Sequence, residues 1–515
     1  MSSLTRILTR INWWREKKQQ AVLMCERGAL GALGALLILT PFEREFSAPI
    51  MVLLAVLLVS WTGIILITRG GRPLILAACV EAVLVAVAWG LSLMAGVEPP
   101  GRSLLFFARE MAFPALVILA VFFTLRLPSP GELSWKAKVV FVLLGLLFVW
   151  VVMGGFLSVD PEESFVAMRR EWAPGMLVFL SLIHFGSTFR RLRGLALCAF
   201  GAALVVGALA VGQWALYRWS YEIQNWKIRR FLVQEHKMIL PADVRPESPF
   251  YVQFPFRHYS TLGTYLALGL TAIFFTGALL EHKPSRQWVQ WSALAGAGGI
   301  VAANYGPALW AALLAGGVYF ALTRPRQLLL VAALGVCVAA WRPVLFITPA
   351  PVELDPPDML RVLWFGDPLQ RERPDWSQTV RLIKQSPVWG AGFGWRNLRN
   401  TIERIQRREN LPRLPVYQNF YLQWTAQTGL VGASLLGLLF AVQLWWVVRR
   451  LVEVRRPAGA WLQRKALTAW LGALLAMLIL GGHVYLLRDR LGLIVWMILG
   501  LMTNFMLQSQ PLERK

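Results

Sequence analysis

Charge is scarce in this chain, and negative charge is scarcest. Of 515 residues, 16% are charged, with 28 Asp and Glu against 52 Lys and Arg. Ordinary soluble domains are about 25% charged. That shortfall, with 57% hydrophobic residues and a mean hydropathy of +0.53, excludes a soluble globular class. Cysteine is equally thin. Cys25, Cys79, Cys198 and Cys337 are scattered, three of them inside apolar runs and none at metal-ligand spacing. This argues against disulfides and zinc, and no metal or cofactor is expected. The start, "MSSLTRILTRINWWREKKQQ", has basic residues but no short apolar core ending in a small-residue cleavage site. It reads as a cytoplasmic amphipathic lead-in and not as a cleaved signal.

What the chain does have is long apolar runs, about as long as a bilayer is thick. Examples are "APIMVLLAVLLVSWTGIILI" from Ala48, "VVFVLLGLLFVWVVMGGFL" from Val139 and "LGLIVWMILGLMTNFML" from Leu491. No soluble core could absorb them all. Read in order they give an all-α polytopic membrane protein of about fourteen spans. Short basic loops alternate with less basic ones. Arg69 and Arg72, then Arg190, Arg191 and Arg193, then Arg324 and Arg326, and the dense stretch 448–465 fall on one side. By the positive-inside rule that side is the cytoplasm, and both termini share it.

The chain then divides into a lead-in (1–27), a first group of spans (28–217), an outward loop (218–259), further spans (260–348), a large outward loop (349–417), closing spans (418–508) and a tail (509–515). Both long loops are basic, which is no conflict, because long loops translocate largely regardless of charge. Their arginines serve solubility and attraction to anionic lipids, or they hold an anionic ligand. Composition alone favours neither, and no nucleic-acid partner is expected.

The large loop has internal order. In "DWSQTVRLIKQS" Trp376, Val380 and Ile383 recur at helical spacing, and Pro387 ends that helix. "VWGAGFGW" supplies three glycines for a tight turn. "WRNLRNTIERIQRR" then puts Trp395, Leu398, Ile402 and Ile405 on one face, apart from most of its arginines. An amphipathic helical hairpin on the membrane surface is the expectation. The turn follows no strand and lacks a Lys-Ser/Thr ending, so a nucleotide-binding P-loop is disfavoured.

Four segments resemble, in order along most of the chain, the O-antigen ligase and polymerase family of bacterial inner-membrane glycosyltransferases. They are "LSVDPEESFVAMRRE" (158–171), "FRHYSTLGTYLALGL" (256–270), residues 371–432 with "SPVWGAGFG" and "QNFYLQWTAQTGLVG", and "HVYLLRDRLGLIVWMILGL" (483–501). The resemblance implies that the large loop is periplasmic. It also implies that a glycan passes from an undecaprenyl-diphosphate carrier to a sugar hydroxyl on a lipid A core or a growing chain. Other polysaccharide-assembly proteins would be partners. Guanidinium groups suit a diphosphate leaving group because they bind its oxygens bidentately, and a histidine suits the role of base.

The chain departs from the family where its base should be. The outer-loop histidine falls on Gln418, which cannot take a proton, and Gln427 stands where a glutamate is common. Tyr305 replaces an arginine, and Tyr259 and Ser260 replace Pro-Asn. His184 and His282 lie toward the cytoplasm on this topology, and His236 sits in the first outward loop. The candidates for the base are therefore His258, beside Arg257 at a span start, and His483, near the outer end of the penultimate span. Glu372 and Asp375 are further options. Arg371 and Arg373 bracket the family's arginine position; either could bind the diphosphate or be a solvated surface group. Arg257 and Arg381 are second choices, and Gln418 and Asn419 complete the expected substrate-binding set. Two rivals stay open. A flippase of lipid-linked glycans should show internal repeats, and no convincing one is found. A non-catalytic scaffold is made credible by Gln418.

Overall fold

The structure, a computed structural model, describes residues 3–94, 100–124, 135–223, 252, 254–256, 259–280, 283–303, 305–325, 327–329, 377–408, 419–454, 461–487 and 489–508. Among them there are helices and no strands. That is what a chain must do where no water is present to satisfy its backbone, since a helix closes its hydrogen bonds within itself.

The helices are α1 (Ser3–Leu39), α2 (Glu43–Arg69), α3 (Arg72–Met94), α4 (Pro100–Glu110), α5 (Ala112–Thr124), α6 (Trp135–Phe156), α7 (Pro161–Ala167), α8 (Ala173–Phe185) and α9 (Phe189–Ile223). After the first long loop come α10 (Tyr259–Leu279), α11 (Lys283–Ala303) and α12 (Gly306–Thr323). The chain closes with α13 (Ser377–Gln385), α14 (Trp395–Arg408), α15 (Phe420–Glu453), α16 (Trp461–Gly481) and α17 (Asp489–Gln508). Ten of the described helices are long and apolar enough to cross a membrane, or eleven if α4 and α5, bent by 63°, form one span. The expectation of about fourteen also drew on the apolar run at 330–348, which lies outside the described residues. The expected lead-in is helical from Ser3 and continuous with the following apolar stretch in α1.

Small residues set the closest helix approaches. A methyl group on Gly207 of α9 would press on the Ala295 carbonyl of α11, and one on Gly472 of α16 would meet Ala315 of α12. Without a hydrophobic drive between helices in lipid, such close van der Waals contact holds them together. Polar side chains add clasps. Asn504 Nδ2 of α17 donates to the Leu182 carbonyl at 2.7 Å, and Trp61 Nε1 of α2 donates to Ser181 Oγ at 2.8 Å. α10 and α17 are the most enclosed spans, and α3 is the most peripheral.

Candidate functional site

The site is built around a break in α15. Asn419 caps that helix, accepting from Leu422 N at 3.1 Å through Oδ1. The helix is then interrupted at Gly429, whose φ of 71° and ψ of 179° are far from helical. A break inside a span frees backbone groups that must find partners in protein. The turn at 389–394, "WGAGFG", provides most of them. Ala391 N donates to the Ala426 carbonyl at 2.7 Å and Gly392 N to the Gln427 carbonyl at 3.1 Å. Leu430 N, just past the break, donates to the Pro387 carbonyl at 2.7 Å. From the other side, Trp150 Nε1 of α6 donates to the Thr428 carbonyl at 2.8 Å. The Trp150 ring stacks on Trp389 with centroids 4.5 Å apart. These bonds occupy the N–H groups that a phosphate cradle would need, so the turn is a clasp.

The 158–164 segment is riveted to the same turn. The buried Asn397 Nδ2 lies 2.9 Å from both Ser158 Oγ and Ser164 Oγ, and 3.1 Å from the Ala391 carbonyl. Val159 N donates to that carbonyl at 3.1 Å. Gly392 has φ +106°, open to glycine and costly for other residues, and a Cβ there would collide with the Ser158 hydroxyl. Beyond α7, residues Met168–Trp172 form a π-helical turn. Such bulges cluster at functional sites. Its Trp172 ring packs among Phe393, Trp424 and Trp496, with centroids 5.2–6.0 Å away. On the same turn Arg169 pairs with Glu110 at 2.9 Å, and Arg109 reaches the same carboxylate at 2.7 Å.

The third contributor is the turn between α16 and α17. The Tyr485 hydroxyl, fully buried, donates to Gln427 Oε1 at 2.8 Å, and Gly394 N donates to the same oxygen at 3.2 Å. Burial and the nearby Glu171 charge push the Tyr485 phenol well above its ordinary range, against the pull of the Gln427 bond, so it keeps its proton. The Asn419 amide donates to the Gly482 carbonyl at 3.1 Å, joining the head of α15 to this turn. The next residue is His483. It is half-buried, and burial holds its imidazole below the ordinary value, so the neutral form prevails near pH 7.

The structure thus ties Asn419 to Gly482, the residue before His483. The Asn419 amide oxygen accepts from Leu422 N in addition. Arg381 is exposed on α13. Arg257, His258, Arg371, Glu372, Arg373, Asp375 and Gln418 lie outside the described residues, as does His236. The expected apolar face of α13 is corrected in part. Leu382 is its buried anchor, with Ile383 beside it, while Val380 is exposed. The reason is that α13 packs on Ala391 and Ala426, which turns its 382–383 edge inward. On α14, Leu398 and Ile402 are buried as their spacing required, and Trp395 is half-buried. Sequence reasoning missed Tyr485 and the Ser158–Ser164–Asn397 rivet. Single polar residues carry no spacing signal that could have revealed them.

Helices of this length and apolarity, packed round one core, define a multi-pass membrane protein. Comparison with known sequences adds a partial match. Residues 291–437, which include the glycine turn and the α15 break, match the family model described as O-antigen ligase, and this part of the chain is similar to that family. No curated protein matches the chain.

Proposed function

We propose that the protein transfers a glycan from an undecaprenyl-diphosphate carrier to a sugar hydroxyl at the periplasmic face of the bacterial inner membrane. It acts as a ligase, with a lipid A core acceptor, or as a polymerase, with a growing chain. Both termini are cytoplasmic and the large loop is periplasmic in this reading, and about fourteen spans cross the membrane. The observation that carries it is the bond from the Asn419 amide to the Gly482 carbonyl, 3.1 Å long. The family's base position, Gln418 here, directly precedes Asn419, and His483 directly follows Gly482. A base lost from one strand of this clasp is supplied by the other.

In the reaction, the neutral imidazole of His483 takes the acceptor hydroxyl proton. The acceptor oxygen forms a bond to the anomeric carbon as the bond from that carbon to the diphosphate oxygen breaks. Undecaprenyl diphosphate leaves with its electron pair. Arg371 or Arg373, with Arg257 and Arg381 in support, stabilises the charge that develops on the diphosphate. Anionic lipids and other polysaccharide-assembly proteins are its expected neighbours. The test is glycan transfer by the purified full chain from a lipid-diphosphate donor. Transfer that needs His483 supports this reading. Wild-type protein that transfers nothing from any donor offered points to the scaffold, or to the flippase if it moves the lipid instead.

A further inference from the structure

Glu81 stands at the middle of the apolar stretch Arg72–Leu91 of α3. Ionisable side chains within a span are costly, and they ordinarily meet partners that satisfy them. Two other acids on the long helices do so. Glu26 of α1 pairs with Arg191 of α9 at 3.0 Å, and Glu453 at the end of α15 pairs with Arg449 and Arg450, each at 3.0 Å. Among the described residues, no hydrogen bond or ion pair reaches the Glu81 carboxyl.

The helices packed on α3 do not supply one. The one polar side chain of α5, Thr124, lies at that helix's end with its hydroxyl bonded to the Ala120 carbonyl at 2.6 Å. On α6 the Trp150 indole is engaged by the Thr428 carbonyl. The other side of α3, the most peripheral span, is uncovered. Ala77 and Ala88 are buried and mark its inner side, and Glu81 is half-buried at the margin of that side. Ala78 and Ala82, next to it around the helix, are exposed. Their short side chains let another backbone come close to the carboxyl.

We propose that two copies of this chain associate through α3, with each Glu81 carboxyl bonded to the same residue of the other copy. The inference is independent of the transfer reading. Depth and chemistry select a second copy. Copies inserted the same way round hold Glu81 at one depth, so a twofold axis along the membrane normal sets the two carboxyls opposite each other. Ionised groups are costly at that depth, and an un-ionised carboxyl carries both a donor and an acceptor. It is therefore complementary to itself. Such a self-matching contact also closes on two copies, the commonest symmetric assembly.

The test measures the oligomeric state of the purified full chain in lipid nanodiscs and by native mass spectrometry from detergent. A dimer is expected. Glu81→Gln should keep it, because an amide also carries a donor and an acceptor. Glu81→Leu, which suits a lipid-facing span, should weaken it about tenfold, the worth of about one interhelical hydrogen bond. Ala82→Leu should weaken it as well, by holding the backbones apart. In a Cys79→Ala background, Ala78→Cys should cross-link two copies under mild oxidation, whereas Leu314→Cys, exposed on α12, should not. A wild-type monomer at every concentration overturns the proposal and leaves Glu81 to a different transmembrane partner. A dimer as tight in Glu81→Leu as in the wild type, or one cross-linked at Leu314→Cys but not at Ala78→Cys, also overturns it.

Discussion

Replacing His483 by alanine removes the only imidazole that the described residues place beside the head of α15. Loss of a general base costs about 10²–10⁴-fold in rate, or about 3–5 kcal/mol in the barrier. His483→Gln should do no better, because an amide can hold the acceptor hydroxyl but cannot take its proton. The pH profile separates this from a packing effect. Burial lowers the His483 value from the ordinary 6.5, so the base is neutral at pH 7 and protonates only as pH falls through that lowered value. The wild-type rate should be level above pH 7 and fall only as pH drops through that lowered value, below the ordinary 6.5. The residual rate of the Gln variant should not show that acid limb. The assay is glycan transfer by purified protein with a lipid-diphosphate donor, alongside a folding check by thermal unfolding. His483 variants that retain near-normal rates would refute the argument from the Asn419–Gly482 bond and move the role to His258 or to a loop carboxylate.

Other outcomes follow from the same geometry. Arg371→Ala or Arg373→Ala should abolish transfer while membrane expression persists, and lysine should rescue poorly because a point charge cannot reproduce the bidentate fork; full activity in the double alanine variant would refute this. Gly392→Ala should cost about 2–4 kcal/mol, since it adds backbone strain at φ +106° to a collision with Ser158, and thermal unfolding in detergent would measure it. Reporter fusions after Arg324 and Arg450 should report cytoplasm, and fusions near Arg230 and Arg404 should report periplasm. A cytoplasmic reading at Arg404 would overturn the site's location.

Much of the architecture was legible because it rests on periodic or bulk signals. Apolar runs announced the spans, and the 3.6-residue recurrence of Leu398 and Ile402 announced the buried face of α14. The three glycines announced a turn. What they could not announce was its partner, because the bonds from Ala391 and Gly392 run to backbone carbonyls of α15, which have no side-chain signature. The break at Gly429 was hidden for a related reason, since a lone glycine in an apolar run is compatible with an unbroken helix. The relation of His483 to Asn419 depends on a contact between residues 63 positions apart in the chain, which no local pattern encodes.

The bonds between the glycine turn and the α15 break also have a mechanical consequence. A loop that only rests on a helix can swing aside like a door, whereas this one is stitched through the main chain on both sides of the break. Lifting residues 387–392 would leave the Ala426 and Gln427 carbonyls and the Leu430 N–H without these partners within the span. The turn and the upper end of α15 therefore travel as one piece. Whatever makes way for an arriving glycan must move elsewhere, or must carry a membrane helix along with it.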